Sequence, residues 1–272
     1  MRKFSMAYLT ANGAEPVEAV EIAAAAGYDM ISFRLLPGGP GDSVPPLMDD
    51  DALFGETVAA MRDTGITMAD AEMIRIGPDT DPQSFVPFLD RIAAMGAKHI
   101  LTAIDDPDRA RAIETYGALC ELVGGYGLTA DVEFMPWTAC KTVPDALEFV
   151  SAVDLPSSAI LFDTLHYDRC GSTPDDIAKI PAHKMNYIQL CDGPADYERS
   201  DSELIRIART ARLFPGAGGI DFASFLHLMP PGITVSVEVP DRPLAEKMGR
   251  AEFAREALAR TRSLLDESSR SN

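Results

Sequence analysis

Cysteine is scarce in this chain and carries no pattern. The four cysteines, Cys120, Cys140, Cys170 and Cys191, share no metal-binding or redox spacing, so a disulfide framework and a thiolate metal site are excluded and free thiols are expected. No apolar run approaches the roughly 20 residues that a membrane span needs. The start, Met1-Arg2-Lys3-Phe4-Ser5, lacks the apolar stretch and small-residue cleavage site of a signal peptide, which makes the cytoplasm the expected compartment. Basic residues are few: 24 against 42 acidic ones, for a formal charge of −18. Such a surface repels phosphate backbones and anionic lipid, so nucleic acid and membranes are not expected partners. Gly38-Gly39-Pro40-Gly41 has neither the dinucleotide nor the P-loop spacing, and no Gly-x-Ser-x-Gly elbow marks a serine hydrolase.

What the chain does contain is ordinary globular material, 46% apolar and 24% charged over 272 residues. Strand-like and helix-like segments alternate eight times, with strands beginning near Lys3, Tyr28, Ile66, Lys98, Leu128, Ser158, Lys184 and Ile233. Between them, apolar residues fall at helical spacing: Phe85, Phe88, Leu89 and Ile92, then Val143, Ala146, Leu147 and Val150, then Leu204, Ile207, Ala208 and Ala211. Glycines 27, 65, 96 and 127 stand at the helix-to-strand joints, where a left-handed C-cap ends a helix. Prolines 16, 82, 107 and 144 fall near helix starts. Strands alternating with helices imply parallel pairing through right-handed crossovers. Eight such units at this length predict an α/β fold, a closed (β/α)8 TIM barrel, as one domain over residues 1–272 with a loose end from Glu267. Two long connections follow strands, residues 35–46 and 191–219, and are lid candidates on the face that carries chemistry.

Four oxygen-bearing residues close four consecutive strands: Glu133 after Thr129-Ala130-Asp131-Val132, Asp163 after Ala159-Ile160-Leu161-Phe162, Gln189 after Met185-Asn186-Tyr187-Ile188, and Glu238 after Ile233-Thr234-Val235-Ser236-Val237. The last inward position of a barrel strand points into the mouth. Four donors converging there, three of them mutually repelling carboxylates, predict one bound divalent cation. An oxygen-only set favours Mn²⁺, Mg²⁺ or Co²⁺ over structural zinc.

His166, three residues past Asp163, is expected at the rim, hydrogen-bonding substrate or shuttling a proton. His99, His183 and His227 fall away from the mouth. Arg34, closing the second strand, and Arg212, before the turn at 213–219, are candidates to hold a carboxylate, phosphate or hydroxyl of the substrate. Trp137, the only tryptophan, is expected as an apolar wall against substrate carbons, and Glu72 is a weaker rim candidate.

These motifs together resemble the xylose isomerase-like TIM barrels, a superfamily that includes sugar-phosphate isomerases and epimerases, inosose dehydratases and endonuclease IV. The resemblance spans nearly the whole chain and rests on Val132-Glu133-Phe134, Phe162-Asp163-Thr164-Leu165-His166, Tyr187-Ile188-Gln189-Leu190-Cys191-Asp192, Arg212 with Pro215-Gly216-Ala217-Gly218, and Val237-Glu238-Val239. It implies one divalent metal on Glu133, Asp163, Gln189 and Glu238, with His166 and Arg212 facing the substrate. Many members carry histidine where this chain has Gln189; bacterial 3-dehydroshikimate dehydratases look similar in using glutamine. Four histidines and a charge of −18 do not supply an endonuclease's metal cluster or DNA face.

The expected activity is a metal-dependent isomerase or epimerase of a small polyhydroxylated carbonyl compound. The cation would stabilise the enediolate, and Glu133 and Glu238 would exchange the proton from opposite sides. The alternative is a lyase of the dehydratase type, with His166 protonating the departing hydroxyl; a non-catalytic binding barrel is the third reading. Nothing in the composition decides between a monomer and a homo-oligomer.

Overall fold

The computed structural model describes residues 2–39 and 41–270. Eight parallel strands close into a barrel in chain order. They are β1 (Phe4–Met6), β2 (Met30–Arg34), β3 (Thr67–Ile76), β4 (His99–Ile104), β5 (Thr129–Glu133), β6 (Ser158–Asp163), β7 (Met185–Leu190) and β8 (Thr234–Val237). Among the described residues ten α-helices accompany them: α1 (Pro16–Ala26), α2 (Asp51–Thr64), α3 (Val86–Ala94), α4 (Arg109–Gly125), α5 (Val143–Val153), α6 (Thr164–Cys170), α7 (Pro174–Ile177), α8 (Asp201–Thr210), α9 (Arg242–Met248) and α10 (Arg250–Arg270). Every strand begins within two residues of its expected start. Closure is made by β1 pairing β8, with Ser5 opposite Ser236.

Local chemistry explains the boundaries. Gly27 and Gly65 end α1 and α2 in the left-handed conformation, at φ 89° and 77°. An aspartate or hydroxyl caps most of the helices that follow strands, among them Asp50, Asp108, Thr142 and Ser200. Two expectations are corrected. The chain from Glu267 to Arg270 continues α10 rather than forming a loose end, because the helix carries on past its last buried apolar residue, Leu265; Ser271 and Asn272 lie outside the described residues. Ala211 does not belong to α8 but is its C-cap, at φ −149°, and this turn aims Arg212 inward.

The main core fills the layer between barrel and helices. A smaller cluster, Met73, Leu101, Ala103, Met135, Leu161 and Tyr187, lies inside. Leu161 and Tyr187 stand two residues before Asp163 and Gln189, so the alternation of a strand puts each pair on one face. The apolar plug is thus the floor on which the polar mouth rests. Below it the interior turns polar again: Ser32 Oγ donates to Asp70 Oδ1 at 2.5 Å, and Asn186 donates to Asp131 at 2.8 Å.

Both long connections follow strands as expected. The one after β7 is knotted by Asp192, whose backbone pairs with Leu213 and whose carboxylate accepts N–H bonds from Gly193, Gly218 and Ile220 at 2.8, 2.8 and 3.1 Å. A Cβ on Gly218 would stand 2.1 Å from the Gly193 carbonyl oxygen, so this closure requires glycine. All four cysteines are free.

Candidate metal and substrate site

The strand-end residues form one buried network. Glu133 and Asp163 end β5 and β6, Gln189 is the penultimate residue of β7, and Glu238 directly follows β8, its N–H donating to Leu190 at 3.1 Å to prolong the ladder. All four are at most 4% exposed. Asp163 is shared three ways: it caps α6 by accepting the His166 N–H on Oδ1 at 2.9 Å, and its Oδ2 accepts Arg212 Nη1 at 2.5 Å. Arg212 Nη2 reaches Glu238 Oε2 at 2.6 Å, while its Nε donates to the Ala208 carbonyl at 2.8 Å. Glu238 Oε1 in turn accepts Gln189 Nε2 at 3.2 Å. His166 Nε2 stands 3.6 Å from Glu133 Oε1, and its ring packs edge-on against Trp137 with centroids 5.0 Å apart.

The electrostatics divide the carboxylates. Burial pushes Glu133 well above the usual carboxylate range, and the charges of Asp163 and Glu238 push it further. Glu238 is raised by burial to about 8, which the pull of Arg212 only moderates. Burial acts on Asp163 too, but there Arg212 and the hydrogen bonds it receives win, and its acidity is strengthened. His166 is lowered to about 4, chiefly by burial, so its ring is neutral near pH 7. The cleft therefore combines an ionised Asp163 with two carboxyls that hold protons tightly.

The residues present fit a cation. Ligand atoms of Glu133, Asp163 and His166 all lie within 4.8 Å of one another. Gln189 Oε1 and His166 Nδ1 are buried acceptors or donors with no partner, and such orphans call for a missing group. Each carboxylate oxygen can accept a further contact beyond those it makes. Of the four expected ligands, Glu133 and Asp163 thus share a cluster with His166, while Gln189 and Glu238 are joined to each other and to Asp163 through Arg212.

Arg34, Trp137, His166, Arg212, Glu133 and Glu238 all line one narrow cleft. Arg34 is held by Glu72, its Nη2 and Nε at 2.6 and 3.2 Å from Oε2, and lies over the Tyr8 ring at 4.9 Å. Glu72 is fully buried and does not line the cleft; it is the anchor of Arg34 rather than a rim group. Two lining cations escaped the sequence reading, Arg75 on β3 and Arg209 on α8. Arg75 donates to the Gly38 carbonyl at 2.9 Å and pairs with Asp105; Arg209 lies 3.7 Å from Asp42. The spacing Arg206, Arg209, Arg212, every third residue, is the one signal that could have found Arg209.

A closed barrel of eight parallel strands defines a TIM-barrel protein, and its polar network lies at the carboxyl ends of the strands, the face where such barrels usually carry their chemistry. The xylose isomerase-like TIM barrel family matches residues 20–264, and the chain belongs to it. It is similar to a 3-dehydroshikimate dehydratase of Pseudomonas aeruginosa, 28% identical over 109 residues, which are 40% of this chain and 17% of that protein. The match thus spans well under a quarter of that relative's length. It is also similar to an inosose isomerase of Bacillus licheniformis, 23% identical over 191 residues, 64% of this chain and 65% of that one. A solved structure of the IOLI protein with a binding zinc atom shares the fold, with a TM-score of 0.80 at 17% identity over 98% of this chain and 99% of that one. Relatives are thus named both as isomerases and as dehydratases. Among the described residues no helix is long and apolar enough to cross a membrane.

Proposed function

We propose that the protein is a divalent-metal-dependent isomerase or epimerase of a small polyhydroxylated carbonyl compound. The observation that carries this reading is the pair Glu133 and Glu238: two buried carboxylates that line one cleft from strands three apart. Glu133, Asp163, Gln189 and Glu238 would hold the cation, which when bound supplies Lewis-acid polarisation of a carbonyl. One glutamate takes a proton from the substrate carbon and the other returns it on the opposite face. Neutral His166 holds a substrate hydroxyl, Trp137 shields the substrate carbons, and Arg34 and Arg212 orient its oxygens.

A second reading, a dehydratase, is supported by the partial likeness to 3-dehydroshikimate dehydratase and by Gln189. In it the proton that one glutamate takes from the substrate carbon is delivered to the departing hydroxyl, which leaves as water, while neutral His166 hydrogen-bonds that oxygen. The test combines elemental analysis with turnover in D₂O on a panel of polyhydroxylated ketones and acids. Deuterium entering the carbon beside the carbonyl without loss of water marks the isomerase; new ultraviolet absorbance from a conjugated product marks the lyase. Glu133→Gln and Glu238→Gln should each weaken the metal and abolish exchange. Protein that binds no divalent metal and turns over nothing on adding any overturns both readings.

A further inference from the structure

Beside the cleft lies a second cavity, of about 540 Å³, that shares Leu9 and Arg209 with it. The cleft itself has only about 50 Å³ of free space. The shared wall of Leu9 and Arg209 lets a substrate whose reacting carbons sit in the cleft extend into the larger cavity. The walls of that cavity include Arg206, Arg209 and Arg242 and no acidic residue, on a chain of formal charge −18. A neutral sugar end has no use for three guanidinium groups; an oxyanion does, because the planar fork matches its geometry.

The arginines are set in place by the fold. Arg206 and Arg209 are three residues apart on α8 and so share a face. Arg242 opens α9, and Asn12 fixes that start by accepting the Asp241 N–H at 2.9 Å while Asp241 caps Leu244 at 3.1 Å. Gly13, at φ 79°, leaves Arg242 its room: a Cβ there would meet Nη1 at 3.2 Å. Each guanidinium has a carboxylate beside it, Glu203 at 2.7 Å, Asp42 at 3.7 Å and Glu246 at 2.9 Å. The three arginines are 44–65% exposed, which weakens the single contacts of Arg209 and Arg242, while Glu203 holds Arg206 through Nε and Nη2 and leaves its Nη1 outside the pair.

We infer that this cavity is the subsite for an oxyanionic end of the substrate, a phosphate ester or a carboxylate, on the molecule whose carbonyl end enters the cleft. The inference rests on the proposed function only in taking the cleft as the place of reaction. To test it, the purified full chain is titrated calorimetrically with inorganic phosphate and, separately, with succinate at low ionic strength. At least one should bind saturably, and the tighter of the two names the source of the oxyanion. Arg206→Ala combined with Arg242→Ala should weaken that binding by about tenfold or more. The corresponding double lysine variant should weaken it less, and metal content and melting temperature should stay unchanged in both. Failure of either anion to bind saturably, or equal affinity in the wild type and the double alanine variant, overturns the inference. Neither result depends on metal loading or turnover, on which the proposed reaction stands.

Discussion

Asp163 and His166 are coupled through the backbone: the carboxylate that closes β6 also starts α6 by accepting the His166 N–H at 2.9 Å. Strand end, helix start and histidine position are therefore set by one side chain, which also anchors Arg212.

Asp163→Ala should consequently cost stability as well as metal. Losing a helix cap and one partner of a buried arginine is worth on the order of 3 kcal/mol. Asp163→Asn keeps an oxygen that can cap α6 and should lose clearly less, while losing metal in the same way. Chemical denaturation and elemental analysis of both variants decide this. Equal stability of the two variants would mean that the cap and the Arg212 contact contribute little.

His166→Ala should lower turnover by about 10²–10⁴-fold, the usual effect of removing a positioned acid–base group, with metal content nearly unchanged. The orphaned Nδ1 and the edge contact with Trp137 leave the ring held by packing rather than by protein hydrogen bonds. Metal lost together with turnover would instead make His166 a ligand beside Glu133 and Asp163.

Gln189→His should fold normally and shift metal preference toward Zn²⁺ or Co²⁺, which accept nitrogen more readily than Mg²⁺ does. The check is to load wild type and variant with an equimolar metal mixture and compare what each retains. Identical profiles would leave Gln189 only as a partner of Glu238.

Asp70 should make the stability of the barrel depend on pH. Burial, then the neighbouring Glu72, raises its pKa well above 3.8, and its Oδ2 has no partner. A carboxyl that binds its proton more tightly folded than unfolded stabilises fully below the unfolded value and loses that contribution as pH climbs toward the folded one. Asp70→Asn removes the slope, so its advantage over wild type should be larger at pH 8 than at pH 5, about 1–2 kcal/mol at the upper end. Urea denaturation at the two pH values checks it; a gap that is constant or shrinks with pH rules out Asp70 as the cause.

The barrel was legible because parallel strands buried on both faces leave continuous apolar runs, and a polar residue that closes such a run stands out. Glu133, Asp163, Gln189 and Glu238 could be placed at the carboxyl ends of their strands in that way. Arg34 and Trp137 were found from their places just at or past strand ends. Contacts between distant parts of the chain were not legible: the Arg212–Asp163 pair spans 49 residues and the Arg34–Glu72 pair 38. Glu72 could be placed on its strand but not assigned to anchoring Arg34. Arg75 and Arg209 look in sequence like solvated charges, since an arginine on an amphipathic helix or at the end of a strand usually is one. The polar layer under the plug, Ser32 with Asp70 and Asn186 with Asp131, was hidden for the opposite reason: each residue alone breaks an apolar run without closing it.

The knot that Asp192 ties with Gly193, Gly218 and Ile220 has an evolutionary consequence. It makes residues 192–220 a self-anchored module that carries Arg206, Arg209 and Arg212 together, while Glu133 and Asp163 reside on strands outside it. A lineage can exchange Arg206 and Arg209, and with them the molecules admitted, as long as it keeps Arg212, which is bound to Asp163 and Glu238. The two glycines and the aspartate at its neck are the positions such exchange must keep.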